Sequence, residues 1–193
     1  MAKNPSTSLW VSHKTHRRMV QTLSFLICAC TAQAWAQSQA NPEKPPVLIG
    51  FDDAFGIKTN TSAMAIEWGI QAAMEEINAK GGVLNGRPLK LMTTDNKGIT
   101  ARGKDNFVQL AGTQNLVAVI TGKYSPISVE MLPDAHRLNV PLISVWGSAD
   151  PITDHDYKPS YSFRVSLKDD WGVEAMMKRL SSRYKVRQAC ALL

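Results

Sequence analysis

The chain has 193 residues, enough for one ordinary domain with a real core, or one and a part, and its composition is near the soluble-globular average. The formal charge of +6 falls to +2 once residues 1–36 are set aside, because Lys3, Lys14, Arg17 and Arg18 lie there with no acidic residue. No Lys/Arg cluster interleaved with aromatics remains, which excludes a nucleic-acid partner.

Residues 1–36 have the layout of a secretory signal. Lys14, Arg17 and Arg18 form a positive n-region, MVQTLSFLICACTA an apolar core too short to span a membrane, and Ala34 and Ala36 the small-x-small spacing of a cleavage site. Met19 is an alternative start. The Arg17-Arg18 pair suggests a twin-arginine route, but the residues after it fit that signal poorly. Cys30 is a minor option for a lipid anchor. Cleavage after Ala36 leaves Cys190 as the single cysteine, with no disulfide framework and no metal set. The expected destination is a bacterial periplasm.

A Pro-rich linker, residues 37–46, precedes alternating elements. VLIGF (residues 47–51) reads as a buried strand. Residues 61–79 read as an amphipathic helix with Ala63, Ile66, Ile70, Ala73 and Ile77 inward, ended by Gly81-Gly82. Asn85-Gly86 makes a turn into a strand over 89–93. A helix over 101–111, a strand over 116–120, a helix over 126–138 and a strand over 140–145 follow. A strand over 161–165, a helix over 169–184 and the start of a strand over 186–193 complete the chain. The alternation predicts an α/β fold: a doubly wound, mostly parallel sheet covered on both faces, with right-handed crossovers.

In such sheets ligands sit beyond the carboxyl ends of the strands. Three loops fall there: DDAFG (52–56), TGKYSPIS (121–128) and WGSADP (146–151), with one aromatic each in Phe55, Tyr124 and Trp146. Ser125-Pro126 has the form of an N-cap followed by proline at the first helical position, a helix start whose free N–H groups attract an anion. Gly147-Ser148 offers further backbone donors, and Trp146 an apolar wall. For Ser125 the bland reading is a plain cap, and for Trp146 a core or lobe-interface side chain.

These stretches resemble a known family. AIEWGIQAAMEEINAKGGVLNGRPLKLMTTDNKG, the Gly122 loop, VPLISVWGSADP and YSFRVSLKDD are similar to periplasmic solute-binding proteins of the branched-chain amino-acid type, the receptors of ABC importers. The resemblance runs from Val47 to the end. It implies a type I periplasmic-binding fold of two α/β lobes with a ligand cleft between them, and a membrane permease as partner. It places the ligand loops at Tyr124–Ser128 and Trp146–Ala149. Where relatives with amino-acid ligands have a serine this chain has Pro126, and where they have a threonine it has Ala149, so Ser125 and Ser148 are the expected substitutes. The expected contacts are Phe55, Tyr124, Ser125, Trp146, Gly147, Ser148 and Ala149, with no catalytic residue, cofactor or metal. The expected organisation is an N-terminal lobe over 47–165 and, over 166–193, the crossover and first helix and strand of a second lobe that is truncated.

Rival readings fit less well. A periplasmic hydrolase would need a nucleophile elbow, and no G-x-S-x-G is present despite His136, His155 and several serines. Asp154-His155-Asp156 lacks metal-ligand spacing, Asp95-Asn96-Lys97-Gly98 lacks the later ligands of a calcium loop, and no G-x-G-x-x-G follows a strand. A sensor on the same fold remains an alternative.

Overall fold

The computed structural model describes residues 44–188 and Cys190. The expected signal peptide, Cys30 and all but the last three residues of the expected linker lie outside the described residues. Five strands and four α-helices alternate: β1 Val47–Asp53, α1 Thr61–Ala79, β2 Leu89–Asp95, α2 Thr100–Ala111, β3 Leu116–Thr121, α3 Ser125–Leu138, β4 Leu142–Ser144, β5 Ser162–Arg164 and α4 Asp169–Tyr184. A short 3₁₀ turn, Asp150–Ile152, lies between β4 and β5.

Every strand pairing is parallel, in the order β2-β1-β3-β4-β5. The chain steps one way from β1 to β2 and the other way from β2 to β3 and β4. Right-handed crossovers therefore put α1 on one face and α2 with α3 on the other. The core forms on that second face. Phe107 and Leu110 of α2, and Ile127, Met131, Leu132 and Ala135 of α3, close over Val119 of β3 and Leu142 of β4. The two helices approach closely because Gly103 has no side chain: a Cβ there would lie 2.3 Å from Ile127 Cγ2. This is the expected doubly wound α/β lobe.

The other face is thinner. Ala63 and Met74 are the buried residues of α1, Ile66 and Ile70 are half-buried, and Ala73 and Ile77 are exposed. The inward stripe is thus rotated by one residue in the second half of the helix. Asn78 sits where Ile77 was expected, exchanging two hydrogen bonds with the backbone of Leu89, at 2.9 Å to its carbonyl and 2.7 Å from its N–H. Pinning the first residue of β2 decides the helix phase there, and hydrophobicity alone does not report it. Gly81 and Gly82 both have positive φ after the helix, and a Cβ on Gly82 would meet the Arg87 carbonyl oxygen at 2.3 Å. Glycine is required at that helix end.

Two strands run further than hydrophobicity predicts. β1 continues through Asp52 and Asp53 and β2 through Asp95, because ladder pairing with neighbours continues past the apolar run. Conversely β4 and β5 are only three residues each. Residues 186–188 of the expected last strand carry no strand structure, and part of the remainder lies outside the described residues.

Candidate functional site

Two of the three expected loops, those after β3 and β4, meet at one cleft at the carboxyl end of the sheet. An open cleft of about 760 Å³ lies between the turns after β3 and β4 and the first turns of α4. Lys123, Tyr124, Trp146 and Ser148 line one side, and Ser166 to Asp169, Gly172, Val173 and Met176 the other. Trp146 is 55% exposed, so its ring is a wall of the cleft rather than a core side chain. Lys123 Nζ lies 5.2 Å from the Tyr124 ring centroid, setting a cation beside an aromatic face.

Ser125 is the joint between the two loops. It is the first residue of α3, and the N-cap position belongs to Tyr124, which makes no side-chain cap bond. The expected Ser125 cap is therefore not formed. Its hydroxyl instead accepts the backbone N–H groups of Ser148 at 3.1 Å and Ala149 at 3.3 Å. The Gly147 N–H goes to the Gly122 carbonyl at 3.2 Å. The amides of Gly147, Ser148 and Ala149, offered by the sequence as free donors, are all engaged within the protein. Gly147 permits this closure, since a Cβ on it would meet Ser144 Oγ at 2.8 Å and Ser125 Oγ at 3.2 Å. With both lone pairs of its oxygen occupied by N–H donors, the Ser125 hydroxyl has its own proton left to donate. Ser128, by contrast, is fully buried and paired with Thr121 at 2.8 Å between the hydroxyl oxygens.

Phe55 does not line this cleft. It packs edge-on against Phe51 with ring centroids 5.4 Å apart. Its loop is held by the two aspartates that end β1. Asp52 accepts Thr94 Oγ1 at 2.8 Å, Asn96 Nδ2 at 2.7 Å and Asn106 Nδ2 at 2.7 Å. Asp53 accepts the Ala54 N–H at 2.7 Å and Asn60 Nδ2 at 3.3 Å, while its Oδ2 is buried without a hydrogen-bond partner among the described residues. Burial raises the pKa of both carboxyls, against the lowering effect of these bonds. That Oδ2 presses on Gly122, where a Cβ would lie 1.6 Å away. The Asp95-Asn96-Lys97-Gly98 stretch is likewise a turn folded on its own side chains: Asp95 accepts the Lys97 N–H at 2.9 Å and Asn96 the Gly98 N–H at 2.8 Å.

Arg164 lies in the YSFRVSLKDD stretch, ahead of Asp169-Asp170. Its guanidinium donates instead to three carbonyls of the cleft loop, Ser148 at 3.0 Å, Ala149 at 2.6 Å and Asp150 at 3.3 Å, and to Thr153 Oγ1 at 2.9 Å. Ser166 Oγ donates to the Gly147 carbonyl at 2.6 Å, and the Asp169 N–H to the Ser148 carbonyl at 3.0 Å. Lys168, across the cleft, is ion-paired with Asp154 and lies 3.7 Å from Asp150, and the Asp154 hydrogen bond raises its pKa. Lys123 makes no ion pair among the described residues. The far side of the cleft, with Arg164 and Ser166, lies in and just after the YSFRVSLKDD stretch. Only the chain's return past the sheet brings them there.

Open α/β sheets bind ligands beyond the carboxyl ends of their strands, and this lobe has an open, partly aromatic cleft there. A family model described as periplasmic binding protein matches residues 47–192, and the chain belongs to that family. Among solved structures, a leucine complex of an ABC transporter substrate-binding protein from Desulfitobacterium hafniense is 25% identical (TM-score 0.63), with 72% of this chain and 39% of that one covered. The LivJ branched-chain amino-acid transporter substrate-binding protein of Streptococcus pneumoniae, in complex with isoleucine, is 24% identical (TM-score 0.61), covering 72% of this chain and 39% of that one. A possible leucine/isoleucine/valine-binding protein from Rhodopirellula baltica is 21% identical (TM-score 0.65), covering 75% and 38%. The chain thus spans less than two fifths of the length of each. Comparison with curated proteins gave no match.

Proposed function

We propose that this chain is the lobe of an exported substrate-binding component of an ABC importer that first grips a small solute bearing a carboxylate, such as an amino acid or amide. The observation that carries this reading is the cleft itself: Trp146 and Tyr124 as apolar wall, Lys123 as a cation with no ion pair among the described residues, and the Ser148 side chain beside them. Its volume of about 760 Å³ lies in the range of small-molecule sites, about 300–1,000 Å³. Family membership supports reversible capture rather than bond chemistry, and the leucine and isoleucine held by two of the similar structures support an amino-acid-sized ligand. With the amides of Gly147, Ser148 and Ala149 engaged, the anion contact falls to the Lys123 ammonium and the Ser148 hydroxyl, which line the cleft, while Ser125 acts from behind them by holding the Ser148 and Ala149 N–H groups. Delivery to a membrane permease, in a periplasmic setting, completes the proposal.

A hydrolase reading gains nothing from the His155–Ser162 contact of 2.7 Å, since Ser162 is 3% exposed and lies away from the cleft. The test is titration calorimetry of the purified chain against leucine, glutamine, benzoate and acetate. Saturable binding of at least one is expected, weakened about tenfold by Lys123→Gln or by Ser125→Ala with Ser148→Ala, as for loss of a charge-assisted or paired hydrogen bond. Binding that both variants leave unchanged removes the assigned pocket.

A further inference from the structure

At the other end of the sheet, where α3 ends and β5 begins, four rings gather. His136, in the last turn of α3, uses both ring nitrogens. Nδ1 lies 2.7 Å from the Leu132 carbonyl oxygen, and Nε2 lies 3.1 Å from the Tyr161 backbone nitrogen. A carbonyl only accepts and an amide N–H only donates, so these partners require the neutral ring with its proton on Nδ1. Tyr157 stacks on the same imidazole at 4.0 Å between centroids, with 15° between planes. The second imidazole, His155, stands 4.9 Å from the first. Its Nε2 meets Ser162 Oγ at 2.7 Å, and its Nδ1 is buried without a hydrogen-bond partner among the described residues.

We propose that His136 and His155 form an acid-sensitive latch that fastens β5 to α3, and that acidification loosens the cleft loop through Arg164. A proton on His136 Nε2 sets a donor against the Tyr161 N–H donor, and the contact becomes repulsive. A proton on His155 charges a ring that faces His136 and has one buried nitrogen unsolvated. Burial, and then the neighbouring His136, hold the pKa of His155 below its usual value, which agrees with a latch built for neutral rings. The other charged groups around the pair are Asp134 and Arg137 of α3, which pair with each other at 2.6 Å, and Asp154, Asp156 and Lys158 of the preceding loop. Asp154 is taken by Lys168, and β4 brings no charge. The rings of Tyr157 and Tyr161 complete the shell.

The route to the cleft is short. Tyr161 gives its carbonyl to the Leu142 N–H at 2.8 Å, and Ser162 and Arg164 pair in register with Leu142 and Ser144. β5 has three residues and, among the described residues, one strand neighbour, so its anchors are the β4 ladder, the latch at its start and Arg164 at its end. Arg164 at its end holds the Ser148 and Ala149 carbonyls, and the N–H groups of those two residues rest on Ser125. The proposal stands on this connection whether or not the cleft holds a solute.

Amide hydrogen exchange by NMR on the 193-residue chain tests it. Between about pH 7.5 and pH 5.5, spanning the usual histidine range, and after correction for intrinsic rates, protection at Tyr161, Ser148 and Ala149 is expected to fall roughly tenfold or more. Val119, whose N–H is bound to the Pro141 carbonyl in the core, keeps its protection. In His136→Gln, whose side-chain oxygen still accepts the Tyr161 N–H and does not titrate, the loss is expected to disappear. If that variant does not fold, the His136 and His155 ring signals of the unmodified chain serve in its place, and the loss of protection must set in at a pH no lower than their midpoints. Unchanged protection at Tyr161 on acidification, an equal loss at Val119, an equal loss in His136→Gln, or a loss that sets in only below the ring midpoints each overturns the latch.

Discussion

The hydroxyl of Ser125 accepts the backbone N–H of Ser148 at 3.1 Å, tying the turn after β3 to the turn after β4 across 23 residues of sequence. The Ala149 N–H rests on the same oxygen at 3.3 Å, so one side chain holds the shape of the cleft loop. Removing it leaves two part-buried donors without their acceptor. Ser125→Ala is expected to cost about 1–3 kcal/mol, the usual penalty for an orphaned buried group. Ser125→Thr keeps the oxygen and is expected to cost less. Urea unfolding reads both, and an alanine variant that melts at the parent midpoint would show that the joint carries no stability.

Gly122 tests the packing between β1 and β3. Its α-carbon faces the unpartnered Oδ2 of Asp53, and a Cβ would lie 1.6 Å from that oxygen. Gly122→Ala must displace either the carboxyl, with its bonds to Ala54 and Asn60, or the strand end that carries the Gly147 contact. The expected loss is about 1–3 kcal/mol, as for an overpacked core position. An alanine variant of unchanged stability would mean that Asp53 turns away at no cost.

Asp53 itself supplies a pH dependence. Burial raises its pKa in the folded state above the ordinary value of 3.8. The folded state then holds the proton more firmly than the unfolded chain does. The stability this contributes is complete below the unfolded pKa and is lost as pH rises through the folded one. At neutral pH the ionised carboxylate is a burden, so Asp53→Asn is expected to raise the melting temperature at pH 7. That gain should shrink towards about pH 4, where the native acid begins to hold its proton. Thermal melts at both pH values decide it, and a gain that is the same at both, or a loss at pH 7, would contradict the sign.

Much of the architecture is legible without coordinates. The helix over Thr61–Ala79 and the helix over Asp169–Tyr184 have the bounds expected from the sequence, and in the first the recurrence of apolar residues at steps of three and four is a local signal. The strand cores around Val47, Leu89 and Leu116 were equally readable as apolar runs. The extension of β1 through Asp52 and Asp53 was not. Two buried acids end an apolar strand there, and only Thr94, Asn96 and Asn106, 42 to 54 residues away, make Asp52 tolerable. Nor was the inward place of Asn78, which depends on the position of Leu89 across a turn.

The candidate site divides in the same way. Tyr124, Trp146 and Ser148 were singled out because they follow apolar strands at the end where α/β sheets bind ligands, and they do line one cleft. Phe55 follows the same rule and lies elsewhere, packed on Phe51.

The amino-acid sequence alone determined the alternating order of strands and helices, and with it a parallel sheet whose ligand end could be named in advance. It did so because backbone pairing and chirality leave few ways to bury such a pattern. Which donors are spent and which remain was decided only in three dimensions. Ser125, Ser148, Ala149 and Arg164 meet through the parallel registers of β3, β4 and β5, and a hydrogen bond needs an angstrom-scale approach that no spacing along the chain encodes.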